Sequence, residues 1–143
     1  MPKTVDLSCK PCAESRESSF VVEEEIYPHA FALYNQGNYV QAGALFSQLV
    51  LQNPFDEKLW RGLAASKQME REYEAALCAW ALVAILQEND PLPHFHAAEC
   101  YLSLHDAEEA MKALDAAEAQ VQLAPKCYGD LGERIIHLRG HHA

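Results

Sequence analysis

Two histidines, a glutamate and a cysteine fall within seven residues, His94, His96, Glu99 and Cys100, in the stretch PLPHFHAAECYLSL. Imidazole nitrogen, thiolate sulfur and carboxylate oxygen are the donors zinc prefers, so a metal site is the first chemistry to weigh. His96 and Cys100 are four residues apart, which puts them on one helical face within reach of a common ion. They supply only two ligands, whereas a structural zinc site is closed by four. Ala97, Ala98 and Tyr101 take core register on the same helix, so the stretch is expected to pack and to hold no metal. A CxxC at Cys9 and Cys12 lies in a segment rich in polar residues, with no second CxxC and no βαβ pattern behind it, and gets no zinc or redox role.

Catalytic arrangements are equally thin. Serine, histidine and acidic residues are present, but a nucleophile elbow, a Gly-rich phosphate loop and an HExxH are not found in the sequence. The expectation is a non-enzyme without catalytic residues or a cofactor. His141 and His142, after Gly140, read as a mobile tail.

Charge narrows the partners. Against 21 Asp and Glu stand 11 Lys and Arg, giving a net charge of −10, and the cations do not cluster. Nucleic-acid affinity comes mostly from cations set against phosphate, so nucleic acid and anionic membrane surfaces are excluded. Half of the residues are hydrophobic. No uncharged apolar run reaches the roughly 18 residues of a spanning helix, so direct membrane insertion is not expected. The opening MPKTVDLSCKPCAESRESSF has no apolar signal-peptide core, and five cysteines without framework spacing read as reduced thiols. A soluble intracellular protein is expected.

The elements that would position these residues repeat. Residues 1–19 are polar and Ser-rich and read as a flexible N-terminal tail; 20–143 read as one domain. Ala30, Ala64 and Ala98 are spaced by 34 residues, as are Ala42, Ala76 and Ala110, then Phe46, Trp80 and Leu114, then Leu49, Val83 and Ala117. Each unit reads as two helical segments joined by a short turn and is punctuated by Pro54, Pro91 or Pro125, which cannot continue a helix. The fold class is therefore all-α: three tandem helix-turn-helix units in an α-solenoid, with a C-terminal capping helix around Leu131 to Leu138. Glu23 to Glu25 and Glu108 with Glu109 read as solvated faces or first turns, where carboxylates meet the positive end of the helix dipole.

Units of this length, with small residues where helices cross and a bulky apolar residue one turn on, resemble the tetratricopeptide repeat. ALYNQGNYVQAGALF, the run LWRGLAA at 59–65 and above all PHFHAAECYL are similar to the tetratricopeptide chaperones of bacterial type III secretion, the class that binds the two hydrophobic translocator proteins. The resemblance covers about residues 20–125. It departs from the pattern at Arg71 and His105, which stand where the inter-helix turn usually carries glycine, and the tail matches nothing in the family's N-terminal dimerisation region.

In such an array the first helix of each unit lines a concave groove. Register puts Tyr27, Phe31, Tyr34 and Asn35 inward in unit one, Arg61, Ala65, Gln68 and Met69 in unit two, and Phe95, Glu99 and Leu102 in unit three. The resemblance implies that Tyr27 and Tyr34 line a peptide groove that holds a short N-terminal translocator segment with spaced prolines and an aliphatic residue. Aromatic rings give such a segment rigid contact area, and Asn35, Arg61 and Gln68 are expected to serve its backbone. The implied role is a cytoplasmic chaperone that keeps a translocator soluble and secretion-competent, with a homodimer as the implied oligomer. The competing reading is a generic tetratricopeptide scaffold for protein assembly, which on this fold alone is equally open.

Overall fold

The computed structural model describes residues 26–142, in which seven helices follow one another without a strand among the described residues. They are α1 over 26–35, α2 (Tyr39–Gln52), α3 (Glu57–Met69), α4 (Tyr73–Leu86), α5 (Leu92–Ser103), α6 (Ala107–Leu123) and α7 (Gly129–His142). From α2 onward each helix packs on the next, as a solenoid of antiparallel pairs requires. The N-terminal tail, the CxxC and Glu23 to Glu25 lie outside the described residues.

The three inter-helix turns are built alike. Gly37, Arg71 and His105 all take positive φ, at 88°, 68° and 64°. At each, the next residue's N–H reaches back over the turn, from Asn38 to Leu33 O, Glu72 to Lys67 O and Asp106 to Tyr101 O, all at 2.9 Å. This closure satisfies the last carbonyls of the first helix and drives the residue before it into the left-handed region. Glycine enters that region freely; an L side chain costs about 1–2 kcal/mol there, which Arg71 and His105 bear. The joints between units also repeat. Asp56 accepts the Lys58 N–H at 3.2 Å to cap α3, and Asp90 accepts the Leu92 N–H at 2.9 Å where α5 begins.

All twelve residues of the four repeating columns are buried, none more than 5% exposed. Seven are alanines, which let paired helices approach; the large ones, Phe46, Trp80, Leu114, Leu49 and Val83, each contribute about 1.5–3 kcal/mol by leaving water. They form three successive clusters, and Trp60 and Leu63 pack against both the first and the second. Helix α7 closes the third by setting Leu131 and Ile135 against Phe95, Leu114 and Val121. Arg139 ties it to α6 through Asp115 at 2.7 Å and Glu118 at 3.0 Å.

Two expectations about the C-terminus are corrected. The last helix is longer than Leu131 to Leu138, and His141 and His142 are its final residues. Helical hydrogen bonding carries through Gly140 because the chain is already anchored by Leu131 and Ile135 in the preceding turns.

Candidate peptide-binding groove

Helix α1 supplies an aromatic end. Tyr27 lies 6.1 Å from Phe31 and meets Phe46 edge-on at 6.0 Å, while the Lys58 ammonium stands 5.1 Å over its ring. Tyr34 meets Tyr39 edge-on at 5.2 Å, and burial, with Tyr39 adding, pushes its hydroxyl above the ordinary value. Both tyrosines are rooted in the first core cluster. Phe31 between them is 49% exposed, an apolar ring left in water, and Asn35 is exposed one turn further on. An extended apolar segment would find rigid faces here whose side-chain entropy is already spent.

The middle of the groove is less open to a backbone than expected. Arg61 is held by Glu57 on its own helix and by Asp90 at the start of α5, so its guanidinium fork is committed within the chain. The expectation that Arg61 serves a bound peptide meets a competitor, since Asp90 ahead of α5 already pairs with it. Ala65 is half-buried beside it, and Met69, 48% exposed, adds a soft apolar surface.

The far end is polar and tightly wired. The Gln68 amide accepts from Trp80 Nε1 at 2.9 Å and donates to Glu99 Oε1 at 3.1 Å; His96 Nδ1 meets the same oxygen at 2.9 Å. The His96 ring also stacks on Trp80, centroids 4.7 Å apart. Burial works against a charged Glu99, but the hydrogen bond and charge of His96, the Gln68 amide and the nearby Arg134 outweigh it and hold the carboxyl below its usual range. The result is an ionised, oriented carboxylate on the face shared by α3 and α5. Leu102 lies half-buried one turn beyond.

Phe95 is a correction. It is 3% exposed, packed in the third cluster beneath α7 and covered by the Arg134 guanidinium 4.6 Å above its ring. Helical register alone put it with Glu99; the face it occupies is the one α7 needs. The structure thus sets Tyr27, Phe31, Tyr34 and Asn35 along α1 and joins Gln68 to Glu99 between α3 and α5, while Phe95 lies in the core and Leu102 packs against the same third cluster.

The cluster that first suggested a metal has other employment. Cys100 is fully buried in the second core cluster, and burial, with Glu99 adding, pushes its thiol up to about 12. Burial lowers the His94 value against the opposing charge of Asp90. Among the described residues no three His, Cys, Asp or Glu side chains converge as a metal site would need.

Sequence reasoning missed Trp80 and His96 as partners of the polar end, and Gly62. A Cβ on Gly62 would lie 2.4 Å from the Phe46 ring. One signal was available: Gly62 and His96 are 34 residues apart, as are Phe46 and Trp80, so the two contacts are the same place in consecutive units.

A tetratricopeptide-repeat family model matches residues 24–50. Low calcium response locus protein H of Yersinia pseudotuberculosis is 30% identical over 112 residues, 78% of this chain. The match spans 66% of that protein and 54% of its Yersinia pestis counterpart, so this chain accounts for under two thirds of these curated relatives' length. Among solved structures, PcrH, known from Pseudomonas aeruginosa, is similar in its complex with the chaperone binding region of PopD, at 30% identity and a TM-score of 0.77 over 82% of this chain and 88% of that one. SycD of Yersinia enterocolitica, a type III secretion chaperone in complex with a peptide of the translocator YopD, gives 28% identity and a TM-score of 0.77, covering 82% and 89% of the two chains. SycD has also been solved as an alternative dimer.

Proposed function

The chain belongs to the tetratricopeptide chaperones of type III secretion translocators, and from that premise we propose that it captures an extended N-terminal segment of a hydrophobic translocator in its groove. It acts in the bacterial cytoplasm as a non-enzymatic, stoichiometric holdase. The client stays soluble and secretion-competent because its most aggregation-prone chain is tethered before assembly. The lining comprises Tyr27, Phe31, Tyr34, Asn35, Ala65, Gln68, Met69, Glu99 and Leu102. No described helix is long and apolar enough to cross a membrane, in keeping with a chaperone that meets its client before insertion. A homodimer is the resting form we assign, by analogy with SycD.

The observation that carries this reading is Phe31, half exposed between the two core-rooted tyrosines of α1. An apolar aromatic left in water beside fixed rings fits a proline- or leucine-bearing segment. A scaffold that reads peptide carboxylates needs free cations in the groove, and the internal pairing of Arg61 weighs against it.

The test is co-expression with a type III secretion translocator from the same organism, followed by size-exclusion chromatography. A soluble co-eluting complex is expected; a translocator that remains insoluble and never co-elutes would overturn the proposal.

A further inference from the structure

The groove is chemically lopsided, and the lopsidedness has a consequence for the client. Its α1 end is aromatic, whereas its α5 end presents one carboxylate held in a fixed direction. Glu99 Oε1 is occupied twice, by Gln68 and His96, while Oε2 makes no hydrogen bond among the described residues. The side chain keeps 33% of its exposure, and Oε2 is the oxygen left to an incoming donor. Gln68 cannot swing away to serve that group itself, because Trp80 pins its carbonyl end from behind. Arg134, whose charge acts on Glu99, stands over Phe95 and makes no direct ion pair with the carboxylate among the described residues. A neutral donor from a peptide backbone would gain an ordinary hydrogen bond at Oε2. A cation would gain a charge-assisted one, in the field of a chain carrying ten net negative charges.

We propose that Glu99, oriented by Gln68 and His96, is the specificity-determining residue of the groove: it takes a lysine or arginine side chain of the client segment and so fixes its register. This rests on the groove-capture reading above. Phe31 stands on α1 and Glu99 on α5, two units apart along the array, with α3 linked to α5 through the Gln68–Glu99 hydrogen bond. An extended chain advances about 3.3 Å per residue, so the cation lies several residues from the apolar residue seated on Phe31. A client in the wrong register would either leave the cation unpaired or lift the anchor off the aromatic end.

The probe is a set of fluorescein-labelled 16-residue peptides carrying a Pro-Leu-Pro anchor, with Ala, Lys or Glu scanned one position at a time along either side, titrated by anisotropy at 50 mM and 500 mM NaCl. With the intact chain, one Lys peptide binds about three- to tenfold tighter than its Ala counterpart, and the Glu peptide binds more weakly. The gain shrinks at the higher salt, as a partly exposed pair requires. In Glu99→Gln the Lys-to-Ala ratio falls to about one, and Gln68→Ala reduces it partway. Tight binding of the Ala peptide with no Lys gain, or a gain that survives Glu99→Gln, overturns the Glu99 inference and leaves groove capture standing. Failure of all the peptides to bind overturns both.

Discussion

Trp80 and His96 lie ring on ring, centroids 4.7 Å apart and 23° from parallel, at the place where Phe46 meets bare Gly62 one unit earlier. The same contact between successive units is thus solved in two ways: a glycine admits a ring, and an imidazole covers one. The second solution adds a polar arm, since His96 and Trp80 both reach into the Gln68 and Glu99 hydrogen bonds. The first of these two contacts is a ring on bare backbone, and the second is a ring stack tied to a hydrogen-bonded carboxylate.

Gly62→Ala is expected to destabilise the fold by about 1–3 kcal/mol, because the Phe46 ring is itself buried and cannot retreat. Thermal unfolding followed by circular dichroism should show the loss, and Phe46→Leu in the same chain should recover part of it. An unchanged melting temperature in the single variant would contradict the close contact.

Arg71→Gly and His105→Gly are expected to stabilise, each by about 0.5–1 kcal/mol, since glycine relieves the left-handed strain but gains freedom when unfolded. The turns lie in different units, so the double variant should add the two effects. Urea midpoints measure this. A fall in midpoint for either variant would mean that its side chain makes a contact worth more than the strain.

These turns also show how far the sequence reached. The period of 34 residues located the turn within each unit and all twelve core residues of the four columns, because spacing encodes which face is buried. The resemblance to the tetratricopeptide repeat marked Arg71 and His105 as departures where glycine is usual, and both take positive φ. What spacing does not encode is competition between elements for one face. Phe95 shares helical register with Glu99, yet α7 claims it; Arg61 points toward the groove by register, yet Asp90, 29 residues on, claims it. The Gln68 wiring has the same origin, partners 12 and 31 residues away that meet only once the units stack.

Acid should erode the polar joint in one direction. The Glu99 carboxyl is held below its ordinary 4.5 in the folded chain, so the unfolded chain binds that proton more readily. The stabilisation is complete above pH 4.5 and is lost as pH falls through the lower folded value. Urea midpoints of the intact chain and of Glu99→Gln, taken from pH 6 down to pH 3, should converge on acidification. A constant difference across that range would contradict it.

Thiol chemistry should sort the cysteines by environment. Cys78 and Cys127 are exposed, while Cys100 is buried and its thiol is pushed up to about 12, so it carries almost no thiolate near neutrality. Brief iodoacetamide treatment at pH 8, mapped by peptide mass spectrometry, is expected to label Cys78 and Cys127 and to reach Cys100 only in denaturant. Equal labelling of Cys100 and Cys78 in the native chain would show that the second core cluster opens readily.

The central claim is that the aromatic end of α1 holds the client, and Phe31 tests it better than either tyrosine, because Tyr27 and Tyr34 are also rooted in the core. A charge placed at this half-exposed position spoils an apolar seat without emptying the interior. The measurement is co-expression of Phe31→Glu with the same translocator, read by size-exclusion chromatography beside a melting curve of the chaperone alone. Loss of the co-eluting complex with the melting temperature within about 3 °C of the parent is the expected result; a complex that survives intact would place client capture elsewhere on the molecule.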